Sequence, residues 1–187
     1  MKQLTLMFFS LAVLITQSNA QLKNSPLDKS PMDMSYYPVN YPILKIQYKA
    51  TDPLIARVTY SRPQKNGRIV YGELVEYGKV WRLGANEATE IELFKDVKIG
   101  NSKVKKGKYT MYAIPFPEKW TLIINKETDI WGAFSYNAKK DLVRYDVAPQ
   151  KNDTPAVYMG MSFEKTLTGF NLNIVWDNIK VIVPFTL

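Results

Sequence analysis

Cysteine and histidine are both absent from this chain of 187 residues. Without cysteine, no disulfide framework and no thiolate nucleophile can form. Without histidine, serine–histidine and cysteine–histidine catalysis are excluded, and so are zinc, copper and haem sites of the ordinary type. Any catalysis must therefore use carboxylate, amine, phenol or hydroxyl groups. We expect no cofactor and no bound metal ion.

Oxygen-bearing side chains alternate in one short segment, at Asn125, Glu127 and Asp129. This spacing is similar to the first half of a calcium-binding loop. However, Ile130 stands at the position where such a loop needs glycine, and the glutamate that would complete the ligand set is missing. We therefore interpret the segment as a polar turn between two strands.

Acidic residues are scarce relative to basic ones, at 17 against 25, so the formal net charge is +8 at neutral pH. Twenty of the basic residues are lysines, scattered along the chain. Scattered lysines keep a protein soluble and protect the edges of sheets from pairing. We expect no nucleic-acid partner. A cell-envelope glycan, a lipid headgroup or another small acidic ligand fits the charge better.

Long apolar runs are also missing, apart from residues 4–15. This run is too short to span a membrane. It follows Lys2 and precedes the small residues Ser18 and Ala20, which is typical of a secretory signal peptide, here residues 1–20. Gln21 follows, so a lipid anchor on an N-terminal cysteine is excluded. We expect an exported protein, periplasmic or extracellular, without a transmembrane span.

Residues 21–42 are rich in proline and predict an N-terminal extended arm or linker, of which residues 30–38 lie against the core. Residues 43–187 then predict one β-sandwich domain. Strand-like alternation begins at residues 43–49 and recurs about ten times, with turn signals roughly every ten residues. This pattern is typical of an all-β, antiparallel sandwich or jelly-roll-like fold. Two of the predicted turns are Gly100–Asn101 and Asp177–Asn178.

The longest interruption of the strand pattern is residues 60–94, which we call the central stretch. It holds four of the nine glycines and three of the five arginines. Glycines supply backbone conformations that other residues avoid, and arginine forks bind carboxylates, phosphates and sulfates beside aromatic rings. The sequence therefore predicts a ligand site here, formed by Arg62, Arg68, Tyr71, Trp81, Arg82, Asn86, Glu87 and Thr89.

Three functions remain open for this stretch. The first is a binding module for a cell-envelope or extracellular ligand, such as a glycan, a peptide or an acidic group. The second is a metal-independent glycan hydrolase or lyase in which Glu87 is the catalytic acid or base. The third is a structural envelope protein in which the arginines only brace the chain, through ion pairs to Glu73, Glu87 or Asp96. The other tryptophans are expected in the core, namely Trp120, Trp131 and Trp176, with a position at the rim as the alternative for Trp131, which stands beside Gly132 in a loop.

The motif WRLGANEATEI occupies residues 81–91. Other distinctive segments surround it, namely SPMDMSYYP at 30–38, GKYTMYAIP at 107–115 and WGAFSY at 131–136. Together they resemble a bacterial family of exported proteins of unknown function that is common in the Bacteroidetes and carries the signature WRxGANEATEI. The resemblance implies a β-rich fold, and it implies no known reaction or ligand.

Overall fold

The computed structural model of the protein describes residues 25–187. The predicted signal peptide, residues 1–20, lies outside the described residues. The described chain forms two antiparallel sheets, as the sequence predicts. No helix among residues 25–187 is both long enough and apolar enough to cross a membrane.

The larger sheet has six strands, which are β1 (Met32–Tyr37), β2 (Ala56–Ser61), β3 (Glu90–Leu93), β6 (Gly107–Pro115), β7 (Trp120–Asn125) and β8 (Asp141–Val147). These strands follow one another across the sheet in that order. The smaller sheet contains β5 (Ser102–Val104), β4 (Val97–Ile99), β10 (Gly169–Thr186) and β9 (Gln150–Lys165), in that spatial order. One helix, α1 (Tyr41–Ile46), and a 3-10 turn, Ala138–Lys140, complete the described elements.

The main core lies between the two sheets, because alternate residues of each strand turn inward. On β6, Met111 and Ala113 belong to this core, whereas Tyr112 between them belongs to a second, smaller cluster. That cluster therefore lies on the outer face of the larger sheet. Ile130 and Ala133, from the loop between β7 and β8, pack against it.

β10 reverses direction at Asp177–Asn178, which confirms the predicted turn. The first turn residue has a positive φ of 52°, as a tight hairpin requires. The ring of Phe170 stacks on that of Phe185 at 4.9 Å, and the backbone N–H of Leu187 donates to the carbonyl of Thr168. The two arms of β10 are therefore neighbours. The first arm pairs with β9, whereas the second arm pairs with β9 only at Ile179 and Lys180 and reaches β4 at Thr186.

The prediction of a strand at residues 43–49 is wrong, because the helix α1 forms there. Asn40 adopts the left-handed conformation, with a φ of 59°. Pro42 follows in the first turn of the helix, where a proline loses no hydrogen bond. These local preferences outweigh the alternation of the side chains. No helical residue is buried, so α1 is an exposed connection between β1 and β2.

The predicted arm contributes a strand to the larger sheet. β1 pairs with β2 over its whole length, from Met32 opposite Ser61 to Tyr37 opposite Ala56. Tyr37 is buried, and its ring stacks on Phe170 of the other sheet at 4.5 Å. This part of the arm is therefore ordered against the core, as predicted, and it is an integral strand of the sandwich.

The central stretch contains no regular helix or strand between β2 and β3. Isolated bridges attach it to its surroundings, one of them between Trp81 and Ala113 of β6. Leu83 and Asn86 have positive φ, as do three of its glycines. The predicted interruption of the strand pattern is therefore confirmed. The predicted turn at Gly100–Asn101 also forms, between β4 and β5.

The start of β10 tolerates no side chain at Gly169. A Cβ atom there would overlap the carbonyl oxygen of Phe185 on the facing arm. We expect Gly169→Ala to lower the free energy of unfolding by about 3 kcal/mol, measured by urea titration. Gly160→Ala in β9 is the control, because no atom lies within 4 Å of its Cβ position. Equal losses in the two variants would contradict the close approach of the two arms.

Candidate functional site

The central stretch covers the end of the sandwich at which β2 ends and β10 turns. A cleft of about 170 Å³ opens there, which we call the arginine cleft. Three of the predicted site residues line it, namely Arg68, Trp81 and Arg82. Most of the remaining wall consists of Ser30, Pro63, Leu74, Val75 and Trp176.

Stacked aromatic rings stabilise the wall of the arginine cleft. The rings of Trp81 and Trp176 lie 6.1 Å apart at an interplanar angle of 23°. The Trp81 indole N–H donates to the carbonyl of Gly84 at 3.0 Å. Tyr71 packs edge-on against both rings and against Trp120, with centroids 5.2 to 6.4 Å apart. Tyr71 therefore supports the cleft from behind and does not line it.

Two buried hydrogen-bond donors at the arginine cleft have no acceptor among residues 25–187. They are Nε of Arg82 and the indole Nε1 of Trp176. Burial lowers the pKa of the Arg82 guanidinium, but an arginine keeps its charge in proteins. An unpaired buried donor costs roughly 1–3 kcal/mol. A ligand oxygen that accepted from these groups would remove that cost.

The side chain of Arg68 is held at the same cleft by hydrogen bonds to nearby backbone carbonyls. Its Nε donates to the carbonyl of Lys65 at 3.0 Å, and its Nη2 donates to the carbonyl of Gln64 at 2.6 Å. Both acceptors are uncharged, so these bonds position the guanidinium without neutralising it. Among the lining residues in the described part of the chain, none is acidic. The arginine cleft therefore has a net positive wall.

Arg62 lies outside the arginine cleft, in a neighbouring groove of about 440 Å³. Its Nη1 pairs with Asp33 at 3.1 Å, and its Nε donates to the carbonyl of Met159 at 3.1 Å. Arg62 thus braces β1, β2 and β9, the alternative role that the sequence left open. The expected acidic partners were wrong, however. Asp96, for example, pairs with Lys105.

Asn86 and Thr89 make structural contacts instead of lining the cleft. Thr89 is completely buried, and its hydroxyl donates to the carbonyl of Leu83 at 2.6 Å. The Asn86 amide donates to a carboxylate oxygen of Asp28 at 3.0 Å. Thr89 therefore fixes the loop that carries Arg82, and Asn86 attaches the N-terminal segment to that loop.

Glu87 is exposed and does not line the arginine cleft. Its backbone forms an isolated bridge with Trp131, which is 60% exposed and takes the rim position that the sequence left open, instead of the expected core position. Trp131 is displaced because Ile130 and Ala133 take the inward positions of that loop. Trp120 and Trp176 are buried, as predicted.

The oxygen-bearing segment after β7 is a polar turn. Glu127 pairs with Lys140, and Asp129 pairs with Lys108, each at 2.7 Å. The side-chain oxygen of Asn125 accepts from the backbone N–H of Glu127 at 3.0 Å. Lysines therefore neutralise both carboxylates. Within residues 25–187, no group of three or more acidic side chains could hold a metal ion.

Two residues of the arginine cleft, Ser30 and Trp176, lie outside the central stretch and are not among the predicted site residues. Ser30 precedes β1 and reaches the cleft only because β1 pairs beside β2. Trp176 immediately precedes the predicted turn at Asp177–Asn178, and this position places it at the end of the sandwich. No signal in the sequence identifies its indole N–H as unpaired.

The model of one protein family matches residues 42–185 of the chain. This family, DUF2911, is described as a protein family of unknown function. This range covers most of the 187 residues, so the chain belongs to the DUF2911 family. No curated protein and no solved structure matches the chain.

The partly buried Tyr71 makes stability sensitive to alkaline pH. The pKa of a tyrosine in the unfolded chain is about 10. Burial raises the pKa of Tyr71 above this value in the folded protein. The stabilising contribution is therefore complete below about pH 10 and is lost as the pH rises further. We expect Tyr71→Phe to make this loss shallower by up to about 1.4 kcal/mol per pH unit. Urea titrations at several alkaline pH values measure the slope.

The control for this measurement is Tyr48→Phe, because the Tyr48 side chain is 98% exposed. We expect this variant to keep the slope of the parent protein. If Tyr71→Phe and Tyr48→Phe behave alike, the hydroxyl of Tyr71 does not control the alkaline loss of stability.

Proposed function

We propose that the protein is a binding module that takes a small acidic ligand, or the acidic group of a larger cell-envelope glycan or peptide, in the arginine cleft. The observation that carries this proposal is the pair of buried donors without acceptors among residues 25–187, Arg82 Nε and Trp176 Nε1, at one cleft. Buried polar groups are normally paired. Two unpaired donors in the same cleft therefore favour a ligand that supplies acceptor oxygens.

The size of the cleft limits what enters it. A volume of about 170 Å³ is smaller than the roughly 300–1,000 Å³ of a typical small-molecule pocket. A carboxylate, sulfate or phosphate with a few attached carbon atoms fits this volume. A longer glycan or peptide would place only its acidic group inside and extend outward along the protein surface.

The chemistry of the wall selects an oxyanion. The Arg82 guanidinium offers a planar set of donors, and the Trp176 indole offers one more. Arg68 adds a second positive charge, and none of the described lining residues opposes it. Leu74 and Val75 provide an apolar side against which the carbon atoms of the ligand can pack.

The aromatic packing behind the cleft holds the donors in place before the ligand arrives. Trp81, Trp176 and Tyr71 contact one another in the core. A site that is already ordered loses little conformational entropy on binding, which favours affinity for a small ligand.

The proposal includes a location for the protein outside the cytoplasm. An exported protein, cleaved after Ala20 and residing in the periplasm or outside the cell, would meet acidic sugars and peptides of a cell envelope. The resemblance to exported Bacteroidetes proteins supports this location, and so does the signal-peptide pattern of residues 1–20.

Titration with D-glucuronate and with inorganic phosphate tests the cleft. Binding is followed by isothermal calorimetry and by tryptophan fluorescence, since Trp81 and Trp176 both line the site. We expect Arg82→Gln to weaken binding about tenfold or more, because hydrogen bonds to a charged group contribute roughly 1.5–3 kcal/mol. Trp176→Phe removes one neutral donor and should weaken binding by about fivefold.

The matched control is Arg144→Gln on β8, because Arg144 is engaged with Asp141 and does not line the cleft. It should bind both probes like the parent protein. Thermal unfolding of each variant shows whether it is folded. Affinities that are the same in the parent, Arg82→Gln and Trp176→Phe proteins would contradict the proposal, as would the absence of saturable binding of either probe.

A further inference from the structure

The end of the sandwich opposite the arginine cleft brings four segments together, because the end of β1, the start of β2, the end of β3 and the start of β6 are paired there. Three of them are residues 38–55 between β1 and β2, residues 94–98 from the end of β3 into β4, and residues 103–106 from β5 to the start of β6. The fourth is residues 165–168 between β9 and β10. We call these four segments the lysine end. The hydroxyl of Tyr37 donates to the carbonyl of Gly169 at 3.2 Å and joins the two sheets there.

The lysine end is strongly basic. It contains two acidic residues, Asp52 and Asp96, and eight lysines. All eight lysines are exposed, namely Lys45, Lys49, Lys95, Lys98, Lys103, Lys105, Lys106 and Lys165. Among the described residues of these segments, the ion pair between Lys105 and Asp96 is the only one. Seven positive charges are therefore left without an acidic partner in the described chain.

The same end also presents large apolar side chains to solvent. Ile46 of α1 is 78% exposed, and Leu167 at the turn between β9 and β10 is fully exposed. Val39, Ile43 and Phe94 add to this apolar surface. Exposed apolar groups gathered at one place usually mark an interaction surface.

We propose that the lysine end docks on an anionic lipid surface, with α1 and the turn at Leu167 entering the headgroup region. Clustered lysines are attracted to anionic headgroups, and apolar side chains gain by leaving water at the boundary with the acyl chains. Both features are required together. A soluble polyanion would use the lysines and leave Ile43, Ile46 and Leu167 in water, whereas an uncharged apolar partner would leave the lysines unused.

The lysine end differs in charge from a second exposed apolar surface, which lies in the loop between β7 and β8. Trp131 and Phe134 are exposed there, at 60% and 91%. The acidic residues of that loop, Glu127 and Asp129, already neutralise lysines. The loop, residues 126–140, therefore has an excess of only one positive charge, three lysines against two acidic residues, and it provides the control for the lysine end.

Co-sedimentation of residues 21–187 with lipid vesicles tests the proposal, with no ligand of the arginine cleft added. The vesicles contain phosphatidylglycerol and phosphatidylcholine, or phosphatidylcholine alone. We expect binding to the anionic vesicles that weakens as salt is added. Lys45→Gln combined with Lys49→Gln should weaken binding about tenfold or more. Ile46→Ser combined with Leu167→Ser should do the same.

The matched controls lie in the loop between β7 and β8. Phe134→Ser removes an apolar side chain whose exposed fraction, 91%, lies between those of Ile46 and Leu167. Lys126→Gln combined with Lys139→Gln removes two exposed lysines. Both should bind like the parent protein. Equal binding to the two kinds of vesicle would overturn the proposal. So would a loss in the lysine variant without a loss in the apolar variant, which would indicate a soluble polyanion instead. Unchanged binding in both lysine-end variants would also overturn it, and so would the absence of vesicle binding.

Discussion

The structure depends on the contact between Trp81 and the core, because this contact holds an irregular stretch of about thirty residues on a sandwich without disulfides. The backbone of Trp81 exchanges two hydrogen bonds with Ala113 of β6, at 2.7 and 2.9 Å. Its ring stacks on Trp176, which is carried by β10 of the other sheet. One residue thus connects the central stretch to both sheets. Aromatic pairs contribute roughly 0.5–1.5 kcal/mol beyond their buried area, so the group of rings around Tyr71 can replace a covalent cross-link.

This arrangement leaves two buried donors beside the aromatic rings without an acceptor in the described part of the chain. A sequence optimised only for stability would pair or remove Arg82 Nε and Trp176 Nε1, because each costs free energy in the unliganded protein. Stability given up at one place is characteristic of binding sites. The neighbouring groove makes a useful comparison. There, Arg62 bonds to Asp33 and to the carbonyl of Met159, and its role is structural.

The sequence predicts the fold class because alternation and turns are local properties. The hairpins at Gly100–Asn101 and Asp177–Asn178 form as expected for the same reason. The strand prediction for residues 43–49 fails, since their alternation is equally compatible with an exposed helix that begins at Asn40 and Pro42. The site is predictable only in part. Arg68, Trp81 and Arg82 share a stretch of sequence, but Trp176 joins them through sheet packing, and an unpaired N–H is a property of three-dimensional contacts alone.

The hairpin of β10 fixes the separation between the two surfaces of the molecule. Gly169 lies beside Tyr37 at the lysine end, and Trp176 lies seven residues later in the arginine cleft. Seven strand residues at about 3.3 Å each place the lysine end and the arginine cleft roughly 23 Å apart. The Debye length in physiological salt is only about 8 Å. An anionic ligand in the cleft would therefore scarcely be repelled by anionic lipids beneath the opposite end, so one small domain can hold a negative surface and a negative ligand at the same time.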